Sequence, residues 1–200
     1  MTSEDRRWET DRNKLEAAKN SSAGFQPAKR GSKHNACATN RASFQPVSSF
    51  QTTRRRLPHW QQGGSVYFIS WVCWSGQTLD PAEQNVTLEA IRFWDTRKWT
   101  VYAAVVMPDH VHLLAQPLAR PDGGYINLGE IIHSVKSFSA QKINRTRRAQ
   151  GSLWQVERYD RIVRDEAEFL EKWQYIRNNP VKAGFVERPE DYQWLYEKQD

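Results

Sequence analysis

Two apolar runs, Trp99–Met107 and His110–Gln116, are separated only by Pro108-Asp109, and no other feature of the 200-residue chain constrains its fold as tightly. The first run is rich in β-branched and aromatic residues, which favours a pleated, half-buried backbone. A Pro-Asp pair presets a turn. The two runs are therefore neighbouring antiparallel strands of one hairpin. Upstream, Gly63-Gly64 is a turn signal, and the β-branched and aromatic run Val66–Trp74 after it reads as another buried strand. From Pro81 to Lys98, Leu88, Ile91 and Trp94 recur at helical spacing, with Pro81 suited to a first turn. Downstream of the hairpin, residues 128–148 put Leu128, Ile131, Ile132, Val135, Phe138 and Ile143 on one helical face. Leu153–Val163 reads as a fourth strand and Asp165–Asn178 as a third helix. Proline disfavours a helical residue before it, so this helix is expected to stop short of Pro180.

The order is strand, helix, strand, strand, helix, strand, helix. Its first six elements match a split βαβ of the ferredoxin-like or RRM-like kind, an α+β fold with a four-stranded antiparallel sheet and helices on one face. The other face is left for the final helix or for a ligand. This architecture hosts many functions, so the site must supply the chemistry.

Charge is unevenly spread. Residues 1–56 carry 12 Lys/Arg against 5 Asp/Glu, and residues 57–200 carry 17 against 18. The basic balance of the whole chain thus belongs to its first part. That part is poor in aliphatics and is expected to be a basic, disordered extension before a domain spanning 57–200. It contains an imperfect repeat, Ala23-Gly24-Phe25-Gln26-Pro27 and Ala42-Ser43-Phe44-Gln45-Pro46, too few copies for a solenoid. A short helix near Glu4–Lys19 and wrapping of the arm along a phosphate backbone are further expectations. Two cysteines, Cys37 and Cys73, make no disulfide framework or zinc pattern. The charged first residues are not expected to form a secretory signal, and no apolar run nears the roughly 18 residues of a membrane span. A cytoplasmic, nucleoid-associated location is expected.

Alternate strand residues share a face, so His110 and His112 point the same way while Val111 points oppositely. Two imidazoles about 7 Å apart by the strand rise can converge on one metal. Tyr175 lies on the third helix, and Asn179 is one turn later on the same side. That sets a phenol beside a carboxamide oxygen able to act as a third ligand; Glu171 or acids at the helix start are alternatives.

Two segments together carry a specific resemblance. Val106-Met107-Pro108-Asp109-His110-Val111-His112-Leu113-Leu114 and Tyr175-Ile176-Arg177-Asn178-Asn179-Pro180-Val181-Lys182-Ala183-Gly184 resemble the REP-associated tyrosine transposases, within the single-tyrosine transposases whose HUH motif is His-hydrophobic-His. Arg55-Arg56-Leu57-Pro58-His59-Trp60, Leu153-Trp154-Gln155 and Tyr159-Asp160 extend the likeness over roughly residues 54–194. The chain departs from the pattern at Arg161, at Cys73-Trp74 and at Tyr192-Gln193-Trp194-Leu195. The resemblance implies a divalent metal, Mg2+ or Mn2+, on His110, His112 and Asn179. It implies Tyr175 as the nucleophile of a single-stranded DNA endonuclease and strand transferase, forming a 5′-phosphotyrosine. It further implies a repetitive extragenic palindrome (REP) hairpin as substrate, for transposition or repeat processing, and a monomer or homodimer.

Candidate DNA contacts are two. Lys142, Arg145, Arg147, Arg148, Arg158, Arg161 and Arg164, against Glu157 and Asp160, give a local +5, a phosphate track with Trp154 available for stacking. Arg54, Arg55 and Arg56 are the second. Three rival readings stand beside the enzyme. They are a catalytically inactive DNA-binding protein of the same fold, an RNA-binding sheet, and a hydrolase activating water. The first would be expected to lose a histidine or the tyrosine, and the second lacks an RNP-type aromatic run.

Overall fold

The computed structural model describes residues 51–52, 60–74 and 76–198. Apart from Gln51–Thr52, the expected extension lies outside the described residues, with its repeat and short helix, Cys37 and Arg54–Arg56. Two short strands, β1 (Gln51–Thr52) and β2 (Trp60–Gln61), pair antiparallel. The remaining elements are β3 (Tyr67–Val72), α1 (Pro81–Phe93), β4 (Trp99–Val106), β5 (His110–Pro117), α2 (Leu128–Arg147), β6 (Tyr159–Ile162), α3 (Glu166–Lys182), a 3-10 turn at Pro189–Asp191 and β7 (Leu195–Glu197).

The main sheet has the order β6-β3-β5-β4-β7, antiparallel at every step. Its first four strands in that order reproduce the expected split βαβ. The fifth, β7, was not expected. It is held to β4 through Val105↔Leu195 and Ala103↔Glu197, and the Trp194 and Tyr102 carbonyls accept from Val106 and Lys198 amides at either end. Three residues without apolar alternation leave no strand signal in sequence; the pairing comes from the neighbour.

Alternation divides the core. Val111, Leu113 and Ala115 of β5, with Ile69, Trp71 and Val101, pack against Leu88 and Ile91 of α1 and Ile131, Ile132 and Val135 of α2. Each enclosed Val, Leu or Ile among them contributes about 1.5–3 kcal/mol over its exposed form. Phe68, His112 and Leu114 emerge on the opposite face beneath α3. A bulge at Tyr102, where Val101 and Ala103 face consecutive residues of β5, turns Ala103 and Val105 towards α3 while Ala104 joins the other layer. The helices start on side-chain caps: Asp80 with Glu83 in a capping box, Asn127 onto the Glu130 amide, and Asp165 onto the Glu168 amide.

Two local expectations are corrected. α3 does not end before Pro180 but runs on to Lys182, with Pro180 in its last turn. The steric penalty falls on a single residue there, and burial of the proline ring and the Asn179 carbonyl's acceptance of the Ala183 amide hold that turn. The fourth strand is shorter than Leu153–Val163, because only Tyr159–Ile162 pairs continuously with β3. Trp154 makes an isolated bridge to Cys73 and is 5% exposed. Its indole lies edge-on to Trp71, ring centroids 6.2 Å apart, and donates Nε1–H to Ser139 Oγ. It is a core residue and offers no face for stacking.

Candidate active site

The turn between β4 and β5 is fixed from outside. Cys73 and Leu79 amides donate to the carbonyls of Asp109 and Pro108, and Met107 donates to His110. His110 therefore opens β5 at a defined point on the rim. Asp109 Oδ1 lies 2.6 Å from His110 Nδ1, an arrangement that orients the ring and leaves Nε2 as the outward lone-pair donor when Nδ1 carries the proton.

His112 is 1% exposed and stacks on Phe68 at 5.6 Å, with planes 21° apart. Burial, and secondarily the adjacent His110, hold its imidazole well below the ordinary histidine range. It is neutral at physiological pH, which is the ligating form. The two histidine ring centroids are 4.7 Å apart, closer than the strand rise alone gives.

Tyr175 meets this pair from α3. Its ring centroid is 5.1 Å from that of His112 and 5.8 Å from that of Phe68, both edge-on. It is half-buried, not enclosed in the core. Lys182, two turns further on, places Nζ 5.3 Å over the Tyr175 ring, and Lys172, one turn earlier, places Nζ 5.8 Å over Phe68. The stripe Lys172, Tyr175, Asn179, Lys182 follows helical periodicity, so a phenol, an amide and two ammonium groups share one face of α3. Phe68 and Lys182 were not assigned roles from sequence. Phe68 was legible only as an alternate position of a buried strand, and Lys182 only by its seven-residue offset from Tyr175.

No cluster of three His, Cys, Asp or Glu side chains is gathered anywhere among the described residues. Glu171, the alternative third ligand, instead pairs with Lys172 at 2.8 Å. A cation held by the histidine pair would thus need an amide or substrate oxygen as its next donor, which half-buried Asn179 suits by type and position. A neutral buried imidazole beside one oriented by a carboxylate is a donor pair that fits a divalent metal.

Several members of the sequence-local basic cluster meet carboxylates in space. Arg147 is engaged by Glu83, Arg158 pairs with Asp160 at 3.1 Å, and Arg161 and Arg164 share Glu168 at 2.7 and 3.0 Å. Burial pushes the Glu168 carboxyl up, but the Arg164 amide and both guanidinium groups outweigh it, leaving its pKa lowered. Arg158 is only 7% exposed and so cannot line a phosphate track. Lys142 lies 3.7 Å from Glu89, and Arg145 and Arg148 remain on the surface at the end of α2. Of the expected track, Trp154 and Arg158 are placed inside, whereas Lys142, Arg145, Arg148 and Arg164 stay exposed and Arg161 partly so.

Residues 79–179 match the family model described as Transposase IS200 like. This chain belongs to the IS200-like transposase family. A Haemophilus influenzae (strain Rd) protein described as a REP-associated tyrosine transposase is 28% identical over 102 residues, 47% of this chain and 55% of that protein. The match therefore spans about half the length of this curated relative. A solved REP-associated tyrosine transposase bound to a REP hairpin superposes with a TM-score of 0.57 at 20% identity, covering 72% of this chain and 82% of that one. The α+β fold is thereby shared with that structure. Among the described residues no helix is long and apolar enough to cross a membrane.

Proposed function

We propose that this chain cuts and rejoins single-stranded DNA at REP-like hairpins, with Tyr175 as nucleophile. One observation carries the reading: within one polypeptide, Tyr175, His112 and His110 form a continuous run of ring contacts at 5.1 and 4.7 Å. Family membership and the hairpin-bound fold relative support DNA as the substrate.

The Tyr175 oxygen attacks the scissile phosphorus in line. A phosphotyrosyl ester forms, the bond from phosphorus to the 3′-oxygen breaks, and the phenolic proton passes to solvent while the departing 3′-oxygen takes one up. A phenol ionises near pH 10, so it needs help at neutral pH. The Lys182 ammonium lies 5.3 Å over the Tyr175 ring. His110, His112 and Asn179 would hold Mg2+ or Mn2+, which supplies Lewis-acid charge to the phosphate oxygens. Asp109 keeps His110 turned for that task, and Phe68 walls His112 from water. The ester conserves the phosphodiester energy, so a second 3′-hydroxyl can reverse the step and join strands.

The test is a denaturing gel with labelled hairpin DNA carrying a single-stranded flank. A protein–DNA adduct is expected with wild type plus Mn2+, and none with Tyr175→Phe or in EDTA, while Tyr175→Phe still binds. An adduct that survives Tyr175→Phe, or cleavage without any adduct, overturns the tyrosine reading in favour of a water-activating hydrolase.

A further inference from the structure

The corner between α1 and β4 concentrates exposed aromatics and cations that the active site does not use. Phe93 is 54% exposed at the end of α1, with its ring edge-on to Trp94 at 4.8 Å. The Arg97 guanidinium lies 4.3 Å over Phe93, and Lys98 Nζ lies 3.9 Å over Trp94. Arg92 covers Tyr196 of β7 at 5.1 Å. Thr96 takes a left-handed φ of 60°, and Trp99 Nε1–H donates to the Ile91 carbonyl, so the corner is pinned to the core.

The sole acid within residues 92–98 is Asp95, and its oxygens are consumed internally. Oδ1 accepts from the Thr96 and Val101 amides, and Oδ2 accepts from the Tyr196 hydroxyl. Among the described residues, Arg92, Arg97 and Lys98 form no ion pair with a carboxylate. This separates the corner from Arg147, Arg158 and Arg161, whose guanidinium groups meet Glu83, Asp160 and Glu168. A cation resting on a ring keeps N–H donors for phosphate, whereas one locked to a carboxylate does not. A groove lined by Arg92, Asp95, Thr96, Trp173, Tyr196 and Lys198 adjoins the corner. Its Glu190 and Glu197 are both held by Arg177, at 3.3 and 3.0 Å.

We propose that this corner is a second nucleic-acid contact surface, on which a single DNA strand stacks a base against Phe93 and lays its phosphates on Arg97 and Lys98. Exposed rings interleaved with unpaired cations are the combination that binds single strands without reading sequence. The proposal rests on DNA being the substrate, and it assigns the strand a track distinct from the one the sequence suggests.

The experiment measures binding of the full chain to fluorescent thirty-residue oligothymidylate in EDTA, by anisotropy over a range of salt. Phe93→Ala should weaken binding about tenfold with the salt slope unchanged, because stacking carries no counterion release. Arg97→Gln should lower that slope by about 0.7, the value of one single-strand phosphate contact, and Arg97→Lys should restore it. Melting curves equal to wild type show that these exposed substitutions leave the fold intact. Failure of wild type to bind, or variants with unaltered affinity and slope, overturns the proposal. Because oligothymidylate lacks a hairpin and no cleavage is scored, this outcome is separate from the Tyr175 adduct. Adduct without corner binding sinks the surface alone, and corner binding without adduct sinks the nuclease reading alone.

Discussion

An imidazole enclosed as closely as His112 loses the hydration its protonated form requires, so its proton is released well below the ordinary value of 6.5. The unfolded chain then binds more protons than the folded one between the lowered value and 6.5. Stability consequently falls as pH drops below about 6.5 and stops falling once the folded value is passed. Glu168 acts in a separate window, since its lowered carboxyl contributes stability that is lost only below its ordinary 4.5. Calorimetry in EDTA should thus find the melting temperature already declining between about pH 6.5 and 5. His112→Gln should remove that first decline and keep the more acidic one. An unchanged profile in His112→Gln would mean that the buried imidazole is not the titrating group. The same burial keeps a ligand lone pair available well into the acid range.

Among elements, α2 is tied to the start of α1 by Arg147, which meets the Glu83 carboxylate, Gln77 and the Thr78 carbonyl. Glu83 is only 5% exposed, so removing its partner strands a carboxylate in a poorly hydrated place. Arg147→Met should cost about 2 kcal/mol, below the usual loss for an enclosed pair because the Arg147 side chain keeps 27% of its surface exposed. Chemical denaturation checks that figure. Hairpin affinity and its salt slope should stay as in wild type, because this charge is already committed. A loss of affinity at full stability would restore Arg147 to the phosphate track. Trp154 and Arg158 follow the same logic, as residues that looked available in sequence and are held inside by the Ser139 hydroxyl and by Asp160.

At the scale of the molecule, α3 crosses the open face of the sheet and closes it. That removes the RRM-like alternative, in which the sheet face itself would read RNA. The crossing is secured beyond α3. Gln84 donates to the Val106 carbonyl and the Tyr192 hydroxyl, Tyr192 donates to Val106, and Trp194 Nε1–H donates to Asn85. Tyr175 therefore reaches the histidines of its own chain. Mixing Tyr175→Phe with His112→Ala protein should then yield no covalent adduct, since each chain lacks one half of its site. Recovery of adduct in the mixture would instead require α3 to be exchanged between two copies.

Backbone periodicity is a local property, and what it governs was readable from the residues alone. The hairpin at Pro108-Asp109, the shared face of His110 and His112, and the helix carrying Tyr175 and Asn179 all follow from neighbours a few positions apart. The resemblance carried by those two segments agrees with the family assignment. Other features depend on groups distant in the chain. Glu83 and Glu168 engage arginines that sequence counted as a patch, and Ser139 and Trp71 draw Trp154 into the core. β4 makes a strand of Leu195–Glu197, and packing of α3 brings the Tyr175 ring within contact of His112. Charge balance, burial and the meeting of two elements are sums over space, and only the folded chain performs them.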